Sequence, residues 1–190
     1  MNIHIAPRAR PRLPLGAAAD APALALGRAH EATGPAARAF AALAAGRLRG
    51  PVLWIRPAWR REALHPEGLR AFFDPARLVE ARPDRPADLL WCAEEALRSG
   101  AAPLVVAEPE APPGLTPLRR LQLAAEAGGR TGGDPPLLLL LPPEPGTAGA
   151  VESRWRCAPL PSQGGAPRWR FSRAEGKAGP PLDWVAAAPS

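Results

Sequence analysis

The sequence holds no tyrosine, one methionine, one lysine and two cysteines in 190 residues. Cys92 and Cys157 lie far apart, with no CxxC pair and no Cys/His cluster around either. That pattern excludes a disulfide framework and a zinc site of the usual spacing, and it fits a reducing compartment. Long apolar runs are missing too. The leucine run, Leu137 to Leu141, falls far short of the roughly 20 residues that a membrane helix needs. The basic N-terminus, MNIHIAPRARPRLPLG, lacks the apolar centre of a secretory signal. A soluble cytoplasmic protein without a membrane partner is expected.

Arginine, alanine and proline are what the chain has in abundance. Lys177 stands alone against 23 arginines, and the net charge is +6 with an isoelectric point near 11. Such a balance asks for an acidic partner, usually nucleic acid, although GC-rich coding alone yields the same residues. A chain of this length reads as one domain that buries roughly 70% of its unfolded surface.

Residues 1–24, with prolines at 7, 11, 14 and 22, read as a flexible Pro/Arg-rich arm. Proline removes a backbone donor and pushes its predecessor out of the helical region. A single α/β domain is expected over residues 25–188. GRAHEAT (27–33) reads as a short strand, and Pro35 suits the first position of a helix reaching about Arg49, with Phe40, Leu43, Ala44 and Leu48 on one face. PVLWIR (51–56) is β-rich without alternation, as in a strand covered on both faces. A short helix follows in LHPEGLRAFF. RLVEA (77–81) is a strand, Pro86 opens a helix through ADLLWCAEEALRS that Gly100 caps, and PLVVAE (103–108) is another buried strand.

Thr116 and Pro117 supply an N-cap and a first-turn proline for TPLRRLQLAAEAGG, whose Leu118, Leu121 and Ala125 share a face. LLLLLP (137–142), short and bounded by prolines, reads as a strand. Strands alternating with helices imply right-handed crossovers and a mainly parallel sheet. ESRWRCAPL, APRWRFSR and PLDWVA alternate polar and apolar residues, as two or three antiparallel strands at the sheet edge do.

The turn HEATGPAARAF (30–40) stands where a P-loop ATPase carries its phosphate loop. That loop needs GxxxxGK[ST], so that amides wrap the phosphates, a lysine reaches them and a hydroxyl holds magnesium. After Gly34 the chain offers PAARAF, with no second glycine, lysine or hydroxyl. Lys177, in EGKAG, lacks the earlier glycine and has Ala178 in place of the hydroxyl residue. Gly34, Pro35 and Arg38 therefore form a degenerate loop at which no nucleotide is expected, and Arg38 reads as a solvated surface arginine.

The strand ends lack the acids of such an ATPase. PVLWIR ends in Arg56 and Pro57, and Ala107 stands where an aspartate would serve. Glu108 follows and reads as a loop carboxylate without a partner ligand. None of the five serines sits in GxSxG, and His4, His30 and His65 have no metal-type spacing. His30, beside Glu31, reads as a packed or hydrogen-bonded residue, and Glu94 and Glu95 as ion-pair partners of Arg98. No catalytic residue, metal or cofactor is expected, and the chain reads as a non-enzyme.

The order GRAHEATGP, GPVLWI, LHPEGL, RLVEA, WCAEEALRSG, LVVAE, LRRLQLAAE, a leucine strand, ESRWRCAPLPS and PRWRFSRAEGKAGPPLDW resembles the ImuA family from about residue 27 to 185. The resemblance implies a RecA-like fold with a degenerate P-loop. It also implies a non-catalytic adaptor role in damage-induced mutagenesis and translesion synthesis, beside an ImuB-like Y-family protein and an error-prone DnaE-type polymerase. A wider kinship with RecA and with SulA-type division inhibitors of the SOS response rests on fold pattern alone.

By the same resemblance the helix and loop that line the DNA path in RecA correspond to TPLRRLQLAAEAGGRTGG. This makes Arg119, Arg120 and Arg130 candidate DNA contacts, or otherwise a solvated basic face. Trp155 and Trp169 alternate with arginines in SRWRC and PRWRF, which gives each strand one apolar and one basic face. The tryptophans are core residues if buried, and a partner hot spot or single-strand stacking platform if exposed. The alternative functions are a basic single-stranded DNA-binding module and a SulA-like cell-division inhibitor of the SOS response.

Overall fold

The computed structural model describes residues 10–18, 20–131, 133–146 and 151–188. His4, Ser190 and the first nine residues of the expected arm lie outside the described residues. A hairpin of β1 (Arg12–Pro14) and β2 (Ala23–Ala25) comes first. Next come β3 (Ala29–Thr33), α1 (Ala37–Gly46), β4 (Val52–Ile55), α2 (Pro66–Arg70), β5 (Leu78–Ala81) and α3 (Pro86–Ser99). The chain continues through β6 (Leu104–Ala107), α4 (Leu115–Gly128), β7 (Leu137–Leu140), β8 (Ser153–Gln163), β9 (Ala166–Arg173) and β10 (Leu182–Ala187).

Among the described residues the main sheet has eight strands, ordered β10-β9-β8-β3-β7-β6-β4-β5. The strands from β8 to β5 run parallel, and β9 and β10 extend the edge antiparallel. This is the mixed α/β, mainly parallel sheet that the alternating pattern called for. One part of the tail differs from expectation: β8 joins the parallel sheet beside β3 and pairs antiparallel only with β9.

Helix α1 covers one face of the sheet, and α3 and α4 cover the other. The leucine run shows why it carries no alternation. Leu137 and Leu139 pack on the α1 side, whereas Leu138 and Leu140 pack under α3 and α4, and all four are fully buried. Complete burial of one such side chain contributes about 1.5–3 kcal/mol, which fixes the strand despite its shortness. Gly100 closes α3 in the left-handed conformation, φ 67°, that spares glycine the Cβ penalty.

Three boundaries differ from the sequence pattern. The stretch expected to be a loose arm forms the β1–β2 hairpin, because Leu13, Leu15 and Leu24 are buried in the α1-side core and offset the cost of ordering a proline-rich chain. Pro35 stands outside α1, since Gly34, Pro35 and Ala36 make the turn and the helix begins at Ala37. Helix α4 begins at Leu115 with Gly114 as its N-cap, so Thr116 lies inside the first turn instead of capping it.

His30 ties the hairpin to the sheet. Its Nε2 lies 3.0 Å from the Ala25 carbonyl, which can only accept, so Nε2 carries the proton. The Ser153 hydroxyl, 2.6 Å from Nδ1, donates to that nitrogen and itself accepts from Trp155 Nε1–H at 2.7 Å. Burial is the main cause that pulls the His30 pKa from 6.5 down to about 4. Between those two values the unfolded chain holds the proton more tightly, so this contribution to stability is complete above pH 6.5 and is lost as pH falls toward 4. The loss amounts to roughly 3 kcal/mol. Urea melts from neutral pH down to pH 4 measure it. His30→Gln is expected to be less stable at neutral pH and to show a flatter pH dependence, and an unchanged slope would assign the titration to other groups.

Candidate functional site

The carboxyl ends of β3, β6 and β7 open into a cleft of about 540 Å³ lined by Gly34, Pro35, Arg38, Arg60, Glu108 and Pro142 among others. The cleft lies beside β3, which has the later strands β7 and β8 on either side of it. Open α/β sheets bind their ligands at such reversals of strand order. The residues at its centre therefore decide what the fold can do.

Glu108 is that centre, and it is not the free loop carboxylate that the sequence suggests. Its side chain is 2% exposed. Arg38 clamps both its oxygens, with Nε on Oε1 and a terminal nitrogen on Oε2, each at 2.8 Å. Trp54 Nε1–H donates to Oε1 at 2.8 Å from the middle of β4, and an Arg60 guanidinium nitrogen lies 3.5 Å from Oε2. Arg38 is thus fixed where a solvated arginine was expected, and its hydrogen bond to Glu108 raises its pKa above the usual arginine value. Two cations and an indole thus hold Glu108 in place. Among the described residues no three His, Cys, Asp or Glu side chains gather as metal ligands.

The turn before α1 is closed from within as well. Gly34 adopts φ 97°, and a Cβ there would lie 2.5 Å from the Cys157 carbonyl oxygen. The Ala36 N–H donates to that same carbonyl at 3.2 Å, and the Ala37 N–H returns to Gly34 O at 3.0 Å. Pro35 has no N–H. A phosphate cradle needs these amides pointing at the ligand, and here β8 takes one and the turn takes the other.

No protein-family model matches the chain. Protein ImuA of Caulobacter vibrioides, in strain NA1000 / CB15N and in strain ATCC 19089 / CIP 103742 / CB 15, is 36% identical to it over 159 residues. The chain belongs to the ImuA family. The matched region is 73% of this chain and 61% of each relative, so the chain spans about three fifths of the length of the curated relatives. The crystal structure of SulA from Pseudomonas aeruginosa overlies 60% of this chain and 97% of its own, at 22% identity and a TM-score of 0.45. A likeness that loose carries no argument about function.

The other residues singled out by the ImuA resemblance lie apart from the cleft. Arg119 and Arg120 are exposed on α4, and Arg130 is exposed just beyond its end. Arg120 is engaged: its guanidinium meets Glu94 of α3 at 2.7 Å, and Glu94 also takes Arg98 at 2.5 Å. Trp155 is a core residue at 1% exposure, its ring 5.1 Å from that of Phe40. Trp169 is half-buried, 5.4 Å from the ring of Phe72. Both rings pack against the α1-side core. Sequence reasoning missed Trp54 and Arg60, although an indole N–H inside a doubly covered strand has to find an acceptor. Burial pushes the Cys157 thiol up to about 12 and the Cys92 thiol above its usual range.

Two substitutions test this arrangement. Gly34→Ala is expected to cost at least about 2 kcal/mol through the left-handed backbone and the contact with Cys157 O. Glu108→Ala is expected to cost about 2–4 kcal/mol, below the figure for a wholly buried pair because the released arginines reach water. Denaturant midpoints measure both, and changes under about 0.5 kcal/mol would show that the cleft does not need them.

Proposed function

We propose that the chain is a non-catalytic accessory factor of damage-induced mutagenesis, a RecA-like scaffold serving as adaptor to an ImuB-like Y-family protein and an error-prone DnaE-type polymerase. The observation that carries this reading is the internal closure of the strand-end cleft. Glu108 is matched by Arg38, Arg60 and Trp54, and the amides of Ala36 and Ala37 are already bonded. With catalytic groups occupied by the fold itself, function falls to surfaces. Membership in the ImuA family supplies the biological setting, SOS mutagenesis after DNA damage.

An adaptor needs exposed apolar anchors, and α3 and α4 carry them. Trp91 is 59% exposed beside Pro117 and Leu121, and Leu123 is 65% exposed on α4. Large exposed rings of this kind dominate protein interfaces.

Titration of a fluorescent ATP analogue with magnesium tests the reading first. No saturable binding is expected below about 1 mM, and tight magnesium-dependent binding would sink it. Co-expression with the two partner proteins tests the positive half. Co-purification is expected, with at least about tenfold weaker capture by Trp91→Ala at unchanged melting temperature.

A further inference from the structure

The outward face of β8, β9 and β10 carries arginines that the fold leaves unused. Directly opposed residues on antiparallel strands share a face, and the register places Arg156 with Ser172 and Asp183, Arg170 with Ala158 and Val185, and Arg168 with Leu160 and Ala187. Arg156 and Arg170 are exposed, and Val185 between them is 43% exposed, so among the described residues no helix covers this face. Arg156, Arg168 and Arg170 have no ion-pair partner among the described residues. Among the described residues one carboxylate, Asp183, stands on this face against the three guanidiniums. Glu31 takes Arg154 at 2.5 Å, and Asp183 accepts from the Ser172 hydroxyl.

We infer that this face binds the phosphate backbone of duplex DNA. Guanidinium forks match phosphate oxygens two at a time, which an ammonium cannot do. Residues two apart on a strand lie about 6.8 Å from each other and neighbouring strands about 4.8 Å apart, so Arg170 stands roughly 7–8 Å from each of the other two and the row from Arg156 to Arg168 spans roughly 14 Å. One strand of a duplex advances about 14 Å over roughly four phosphates, enough for three separate contacts.

The choice of duplex follows from what the face lacks. Trp155, Trp169, Phe171 and Trp184 all pack on the opposite, α1-side face with the core. Unstacked bases need aromatic planes to lie on, and this face offers only arginine, serine, aspartate and small or aliphatic side chains. It suits a ligand whose bases are already stacked inside, and it contacts the backbone without reading sequence.

Fluorescence anisotropy with a labelled duplex and a single strand of equal length and mixed sequence tests the inference. The wild-type chain is expected to prefer the duplex, and three phosphate contacts contribute a log–log salt slope of about −2.7, or roughly 40-fold in affinity between 50 and 200 mM salt. R156Q/R168Q/R170Q should lose that share of the slope and bind at least about tenfold more weakly at low salt, and R156K/R168K/R170K should recover most of the binding. R119Q/R120Q should change little. Preference for the single strand, no duplex binding at low salt, or full binding by the triple glutamine variant would each overturn the assignment. Because the triple variant leaves Trp91 and the cleft intact, its capture of the partner proteins should be unchanged, so this inference and the adaptor reading fail separately.

Discussion

The parallel strands β3, β6 and β7 are covered on both faces and kept from water, and that constraint shapes the rest of the molecule. His30, Glu31, Arg56 and Glu108 lie in or just past the parallel strands at 2% exposure or less. Each is matched inside the protein. His30 has Ala25 O and Ser153, Glu31 has Arg154 and the Gly146 N–H, Arg56 has Glu80, and Glu108 has Arg38, Arg60 and Trp54. Leaving any of these groups unpaired at such burial would cost several kcal/mol, a large part of a domain's net stability. The hairpin, the β3–β8 pairing and the cleft are therefore held in part by polar matching and not by apolar packing alone.

The same matching bears on function. Ligand-binding α/β proteins leave amides and carboxylates at the strand ends free to meet a substrate. In this chain the carboxylate after β6 closes on an arginine from α1, and the amide after Gly34 closes on a carbonyl from β8. Both contacts are local, yet together they join α1, β4, β6 and β8 across the cleft.

Much of the fold was legible because it follows from periodicity. The leucine run, the capped α3 helix and the alternating strands each state their burial pattern directly, and the parallel sheet follows from their order. The hairpin was not legible, since Pro11, Pro14 and Pro22 argue for an unpaired chain whereas three buried leucines decide the outcome. The cleft was half legible. The missing lysine and hydroxyl could be read from HEATGPAARAF, but the pairing of Arg38 with Glu108 joins residues 70 apart in sequence and depends on the strand order. Glu108 lies next to a buried strand of four residues, and burial at the strand's end is what turned an apparent loop acid into the hub of the cleft.

The C-terminal strands show how a period of two separates stability from recognition. In SRWRC and PRWRF the odd-numbered Trp155, Cys157, Trp169 and Phe171 face the core, so the alternate Arg154, Arg156, Arg168 and Arg170 face away from it. A shift of one residue in register would bury the arginines and expose the rings, at a cost of many kcal/mol. Phe40 holds the register by meeting Trp155 at 5.1 Å and Phe171 at 5.0 Å between ring centres. The aromatic contacts on one face thereby fix which side chains stand on the other. The basic surface keeps its geometry without any contact among the arginines, whose like charges would otherwise drive them apart.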